Sequence, residues 1–135
     1  KWIPLILFFG MIFSDGRNYL HWMIRPEYNA VEISKDLQQR IPDAVISGQW
    51  APELVLENDL RAVPVWKDFV NSDRPFQRFG ITHLLLWRYP LGDELEKFSE
   101  WYPDELKQFR PLHLYRIKNS DLLLLEKIKQ ETIKD

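Results

Sequence analysis

The stretch ITHLLLWRY, residues 81–89, decides the fold that the sequence predicts. Its middle is apolar at consecutive positions, which is typical of a β-strand in a sheet that is covered on both faces. Gly80 precedes it as a helix C-terminal signal, and Pro90 follows it as a turn residue. We therefore expect a central strand here, with helices packed on both sides of the sheet.

Helical and strand patterns alternate around this central strand. Residues 29–41 carry one apolar helical face, and Asn29 with Glu32 gives a capping-box pattern at its start. A short strand is predicted at 44–47 and a second at 60–66, whose Pro64 confines it to a sheet edge or a bulge. The remaining predicted elements are helices at 52–58, 93–102 and 104–109 and hairpin strands at 112–118 and 121–127, joined by Asn119 and Ser120.

This order of elements predicts an α/β fold. We expect a small, mostly parallel sheet flanked by helices, with right-handed crossovers and a C-terminal antiparallel hairpin. The core prediction follows from the most apolar strands and from one face of the first helix. It comprises Ile33, Leu37, Val45, Leu84, Leu85 and Leu86.

The composition excludes several classes of function. The 135 residues suit one domain, and the 18 basic and 20 acidic side chains are interspersed, which argues against a nucleic-acid partner. Cysteine is absent, so zinc–cysteine sites, thiol catalysis and disulfides are excluded. No glycine-rich cofactor fingerprint occurs, and the three histidines lack metal-ligand spacing, so we expect no cofactor and no metal. His83, in the apolar strand, is better explained as a hydrogen-bonded core residue than as a catalytic base.

The N-terminal stretch WIPLILFFGMIF, residues 2–13, has no charged side chain. Twelve helical residues reach only about 18 Å, so it cannot span a bilayer alone. Because the chain starts with Lys, and aromatic and polar residues mix at 19–25, we expect residues 1–13 to be the end of a truncated transmembrane helix. A core helix and a processed targeting segment are the alternatives.

One candidate ligand site combines a glycine turn with aromatic residues. The segment Gly48-Gln49-Trp50 joins a predicted strand to a helix, and such turns at carboxyl strand ends form the ligand crevice of α/β sheets. With Glu53 and Trp87 it could hydrogen-bond and stack on a sugar, and Trp66 lies near another strand end. The alternative is that these tryptophans only pack in the core or at its rim.

A family resemblance appears in SGQWAPELVLENDLRAVPVW, residues 47–66, and in the order of the flanking elements. The region 14–128 resembles the C-terminal soluble domain of polytopic membrane glycosyltransferases similar to the dolichyl-phosphate-mannose–protein mannosyltransferase class. The resemblance implies a lipid-phosphate-linked sugar donor and an extracytoplasmic location for the domain. The acidic catalytic motif of that class lies in an early loop between membrane helices, so the resemblance places no catalytic residue in this chain.

These inferences give one expected function and two rivals. We expect an extracytoplasmic accessory domain of a membrane glycosyltransferase, inactive by itself, bound to the membrane through its N-terminal helix and open to a sugar or lipid-linked sugar. The rivals are a free-standing, membrane-peripheral interaction module and a small soluble enzyme. The expected division is a helix end at 1–13, a juxtamembrane connector at 14–28, the α/β soluble domain at 29–128 and a charged tail at 129–135.

Overall fold

The fold is built around one five-stranded sheet with helices on both faces. The structure, a computed structural model, describes residues 2–24, 29–88, 93–117 and 120–128. Its helices are α1 (Ile3–Ile24), α2 (Asn29–Arg40), α3 (Ala51–Leu54), α4 (Pro75–Phe79), α5 (Glu94–Trp101) and α6 (Pro103–Leu106). Its strands are β1 (Val45–Ser47), β2 (Arg61–Ala62), β3 (His83–Arg88), β4 (Phe109–Ile117) and β5 (Ser120–Lys127).

The sheet is mixed, so the prediction of a mostly parallel sheet is wrong. The strand order is β2-β1-β3-β5-β4, and only the two pairs made by β1 are parallel. The parallel strands are short, because Gly48 directly follows β1 and Pro64 soon follows β2. The long pairings are antiparallel, because the hairpin inserts β5 beside β3 along six residues. The four leucines at 122–125 explain this insertion, since an inner strand offers apolar side chains to both faces.

The central strand β3 divides the core as the sequence predicts. Leu85 faces α2 and α3 on one side of the sheet, whereas Leu84 and Leu86 face Phe98 of α5 on the other. The predicted core residues Ile33, Leu37 and Leu84 to Leu86 are buried, and Val45 is only half-buried. Tyr115 of β4 donates a hydrogen bond to Asp36 of α2, which attaches that helix to the far strand of the sheet.

The local turn and edge predictions are also confirmed. β2 is an edge strand, but it spans only Arg61–Ala62 and ends before Pro64, so the strand predicted at 60–66 is much shorter in the structure. Gly80 ends α4 with φ of 62°, and the Asp93 side chain caps α5 by accepting from the Leu95 amide. The predicted turn residues Pro90 and Asn119 and the tail at 129–135 lie outside the described residues, as do residues 25–28 of the expected connector.

The N-terminal helix α1 is longer than the apolar stretch. It continues through the polar residues 14–18, which we expected to interrupt it. Its described side chains are exposed, including Phe8, Phe9, Met11 and Phe13, the last at 76%. No helix in the described part of the chain is both long enough and apolar enough to cross a bilayer.

Candidate functional site

The candidate site lies at the carboxyl ends of the adjacent parallel strands β1 and β3. The chain leaves β1 toward α3 on one face of the sheet, and it leaves β3 toward α5 on the opposite face. The helices that come next in the chain after these adjacent parallel strands, α3 and α5, therefore lie on opposite faces of the sheet. This is the topological switch point at which α/β sheets open a crevice.

Gly48 brings the first of these segments close to the central strand. Its φ is 148°, a backbone conformation that side-chain-bearing residues rarely adopt. A Cβ added at this position would lie 2.0 Å from the carbonyl oxygen of Leu85. Only glycine therefore allows the turn after β1 to approach β3 so closely.

Gln49 and Trp87 meet at the crevice, as the sequence predicts for two members of its candidate site. The indole Nε1–H of Trp87 donates a 3.0 Å hydrogen bond to Oε1 of Gln49. Gln49 is exposed, and Trp87 is partly buried against the core on the α2 side. The pair therefore combines an exposed amide with an indole at the carboxyl edge of the sheet.

The structure places the other two predicted residues differently. Trp50 is partly buried and packs against the core formed with α2 and α3. Glu53 is exposed on α3 and takes part in none of the hydrogen bonds found among the described residues. Neither residue takes part in the hydrogen bond between Gln49 and Trp87.

Glu94 is the functional candidate that the sequence analysis missed. It is the first residue of α5 and is only 1% exposed. Its Oε1 accepts the backbone N–H of Gln49 at 2.8 Å, and its Oε2 accepts the backbone N–H of Trp87 at 3.2 Å. One carboxylate thus connects the turn after β1, the end of β3 and the start of α5. Its sequence signal is weak, because an acidic residue beside a capping Asp is common in a first helical turn.

Burial controls the charge of this carboxyl group. Desolvation raises the pKa of Glu94 to about 7, against the opposing effect of the two backbone N–H donors and of Lys97. Ser47, on the preceding strand end, has a buried hydroxyl without a hydrogen-bond partner among the described residues. A buried carboxyl with a raised pKa therefore hydrogen-bonds to the turn that directly follows a buried, unpaired hydroxyl.

We expect this carboxyl group to make stability depend on pH. Because the pKa of Glu94 is raised in the folded chain, its contribution to the free energy of unfolding is fully present below about pH 4.5. That contribution is lost as pH rises through 7. Between about pH 5 and 8, Glu94 should lower the unfolding free energy by about 2–3 kcal/mol. Urea titrations of the parent chain and of Glu94→Gln measure this as a difference in pH slope. The lowered pKa of His83 acts in the opposite direction below 6.5, but it is common to both chains. Equal slopes in the two chains would contradict the assignment.

An apolar groove adjoins Gln49. It encloses about 350 Å³ and is lined by Gln49 and by residues that follow β2, namely Pro64, Val65, Trp66, Phe69 and Val70. Phe69 is 83% exposed at its rim. Trp66 packs edge-on against Trp101, and the ammonium of Lys97 lies 5.0 Å from its ring centroid. Gln49 is shared by this groove, whose Val65 belongs to the α5-side core, and by the pair with Trp87, which packs on the α2-side core. We call the groove and the Gln49–Trp87 pair the switch-point crevice.

A larger cavity of about 740 Å³ lies at the opposite end of the parallel strands, where β1 and β3 begin. Its walls include Ala44, Thr82, His83, Lys107 and Glu126. His83 is half-buried, with its Nδ1 2.8 Å from the Thr82 hydroxyl, and burial lowers its pKa. The hydrogen bond agrees with the prediction, but His83 lines the cavity and belongs to neither core cluster. The cavity is lined by charges of both signs, whereas the switch-point crevice has the combination of amide and indole groups that fits one ligand class.

The described residues contain no group of histidine and acidic side chains arranged to hold a metal ion. Comparison with protein-family models, with characterised proteins and with solved structures found no match to this chain.

Proposed function

We propose that this chain is an accessory domain of a membrane glycosyltransferase with a lipid-phosphate-linked sugar donor, and that it binds sugar at the switch-point crevice. The observation that carries the proposal is the meeting of Gln49 and Trp87 at the switch point. An amide can both donate to and accept from sugar hydroxyls, and an indole offers an apolar face for the ring. The adjoining groove has the size of a small-molecule site.

Two further features support the glycosyltransferase setting. The first is the resemblance carried by residues 47–66 and by the order of the flanking elements. The second is α1, whose exposed aromatic and aliphatic side chains suit contact with a lipid surface. In this proposal the domain is extracytoplasmic, α1 faces the membrane, and the chemistry is performed elsewhere in the enzyme.

We expect weak, localised sugar binding by the 135-residue chain. Addition of methyl α-D-mannopyranoside to the ¹⁵N-labelled chain should shift the indole signals of Trp66 and Trp87 and the side-chain amide signals of Gln49. The dissociation constant should be millimolar, because a single monosaccharide makes few contacts in an open groove. Gln49→Ala should weaken the binding severalfold, whereas Gln77→Ala, an exposed glutamine on α4, should leave it unchanged.

Two results would contradict the proposal. One is a spectrum that does not change up to roughly 0.1 M glycoside, a concentration at which even millimolar sites are saturated. The other is a set of shifts around His83 and Glu126, which would move the site to the larger cavity at the opposite end of the parallel strands.

The exposed surface of α1 also suits the alternative of a free-standing, membrane-peripheral module. The reading frame that encodes this chain separates the two functions. Many upstream apolar segments of about 20 residues are expected for the glycosyltransferase, whereas a start codon close to Lys1 is expected for the module.

A further inference from the structure

We infer that Glu94 is a positioning residue that holds the switch-point crevice in its sugar-binding shape only while its carboxylate is ionised. The inference rests on the proposed function, because it assigns proton control to the same crevice. Glu94 does not reach the ligand itself, since its side chain is buried and both of its oxygens accept hydrogen bonds from backbone N–H groups. It acts through Gln49 and Trp87.

The hydrogen-bond geometry favours the ionised form. An ionised carboxylate only accepts, so each oxygen can face one N–H donor, as observed for the amides of Gln49 and Trp87. A protonated carboxyl carries an O–H that needs its own acceptor, so one of the two contacts must weaken. Because the Glu94 side chain is only 1% exposed, water has little access to the carboxyl group and cannot easily replace the lost hydrogen bond.

The same network positions the side chains that we assign to sugar binding. The Gln49 backbone bonds to Glu94, and the Gln49 side chain accepts from the Trp87 indole. Trp87 in turn donates its own backbone N–H to Glu94. Weakening either bond to the carboxylate therefore disturbs both ends of the Gln49–Trp87 pair.

The neighbouring charges leave the titration within the ordinary pH range. On α5, Lys97 lowers the pKa of Glu94 and Asp93, at the start of the helix, raises it. Arg88 of β3 forms an ion pair with Asp93, with Nε 3.5 Å from Oδ2. The turn Ser47-Gly48-Gln49 contributes no titratable side chain. Burial is the largest influence and brings the pKa to about 7.

The ionised fraction of Glu94 sets the direction and the size of the pH effect on sugar binding. Below pH 7 the protonated form dominates, so the binding-competent population falls. If only the ionised form binds, the apparent dissociation constant should rise about tenfold between pH 8 and pH 6, because the competent fraction falls by that factor.

The experiment is an amide titration of the ¹⁵N-labelled 135-residue chain from about pH 5.5 to 8.5, with and without methyl α-D-mannopyranoside. The backbone signals of Gln49 and Trp87 should titrate together with a midpoint near 7. Glu94→Gln should remove that transition, and Glu96→Gln, an exposed acid on the same helix, should preserve it. His83→Asn should also preserve it, which excludes the imidazole at the other end of β3 as its source.

The outcomes separate the inference from the proposed function. Gln49 and Trp87 amides that do not shift with pH in the parent chain would overturn the inference, whether or not Glu94→Gln folds. Sugar binding that is equally tight at pH 6 and pH 8 would overturn it as well. Amides that titrate in a chain that binds no glycoside would overturn the proposed function and leave the proton-dependent contact of Glu94 standing.

Discussion

Gly48→Ala is expected to abolish the native fold or to destabilise it by more than about 4 kcal/mol, a large share of the stability of a domain of this size. The new Cβ would lie 2.0 Å from the oxygen and 2.9 Å from the carbon of the Leu85 carbonyl. Both are backbone atoms of the central strand, so no side-chain rotation can relieve the overlap. The φ of 148° adds strain for any residue with a Cβ.

Chemical denaturation followed by tryptophan fluorescence measures the effect, and Gly80→Ala is the matched control. Gly80 also has a positive φ, 62°, but an added Cβ there meets no atom within 4 Å. Its substitution should cost only about 1–2 kcal/mol, the penalty for left-handed geometry alone. Equal denaturation midpoints for the two variants would show that the close approach to Leu85 does not limit the fold.

Leu85→Ala is expected to destabilise the domain by about 3–5 kcal/mol. Leu85 is fully buried on β3, between β1 and β5, and it packs in the core shared with α2 and α3. Truncation would leave a cavity, and the strands on both sides of β3 would keep it from closing. The lost packing contacts would therefore add to the free energy of transferring the leucine side chain out of water.

The control for this variant is Leu114→Ala on the edge strand β4, where the side chain is 53% exposed. It should change the unfolding free energy by less than about 0.5 kcal/mol, as surface substitutions do. Urea titrations at one fixed pH compare the two. A Leu85→Ala chain no less stable than Leu114→Ala would contradict the assignment of β3 as the central strand.

Part of the candidate site could be predicted because its signals are local. Gln49 belongs to a glycine turn after a short strand, and Trp87 lies near the end of the most apolar strand. Because ligand crevices of α/β sheets form at the carboxyl ends of strands, both residues are expected at one crevice. Trp50 carries the same signal and packs against the same α2-side core as Trp87, but it takes no part in the hydrogen bond between Gln49 and Trp87. A strand-end position does not specify which side chains will hydrogen-bond to one another.

Glu94 could not be found in the same way. It lies 45 positions from Gln49, and its hydrogen bonds are to backbone amides, which every residue except proline provides. No side-chain pattern in the sequence therefore marks the contact. Its burial, which gives the carboxyl its raised pKa, exists only once α5 has packed on the sheet.

The sequence by itself determined the elements whose causes are local. Glycine ended α4, Asp93 capped α5, and consecutive apolar residues made β3 a strand covered on both faces. Tertiary structure decided the direction in which strands pair, the insertion of β5 beside β3, and the convergence of Gln49, Trp87 and Glu94. The physical reason is that apolar periodicity records how deeply a residue is buried but not which strand lies beside it. Pairing direction is set by where the chain returns to the sheet, and that is a property of the assembled core.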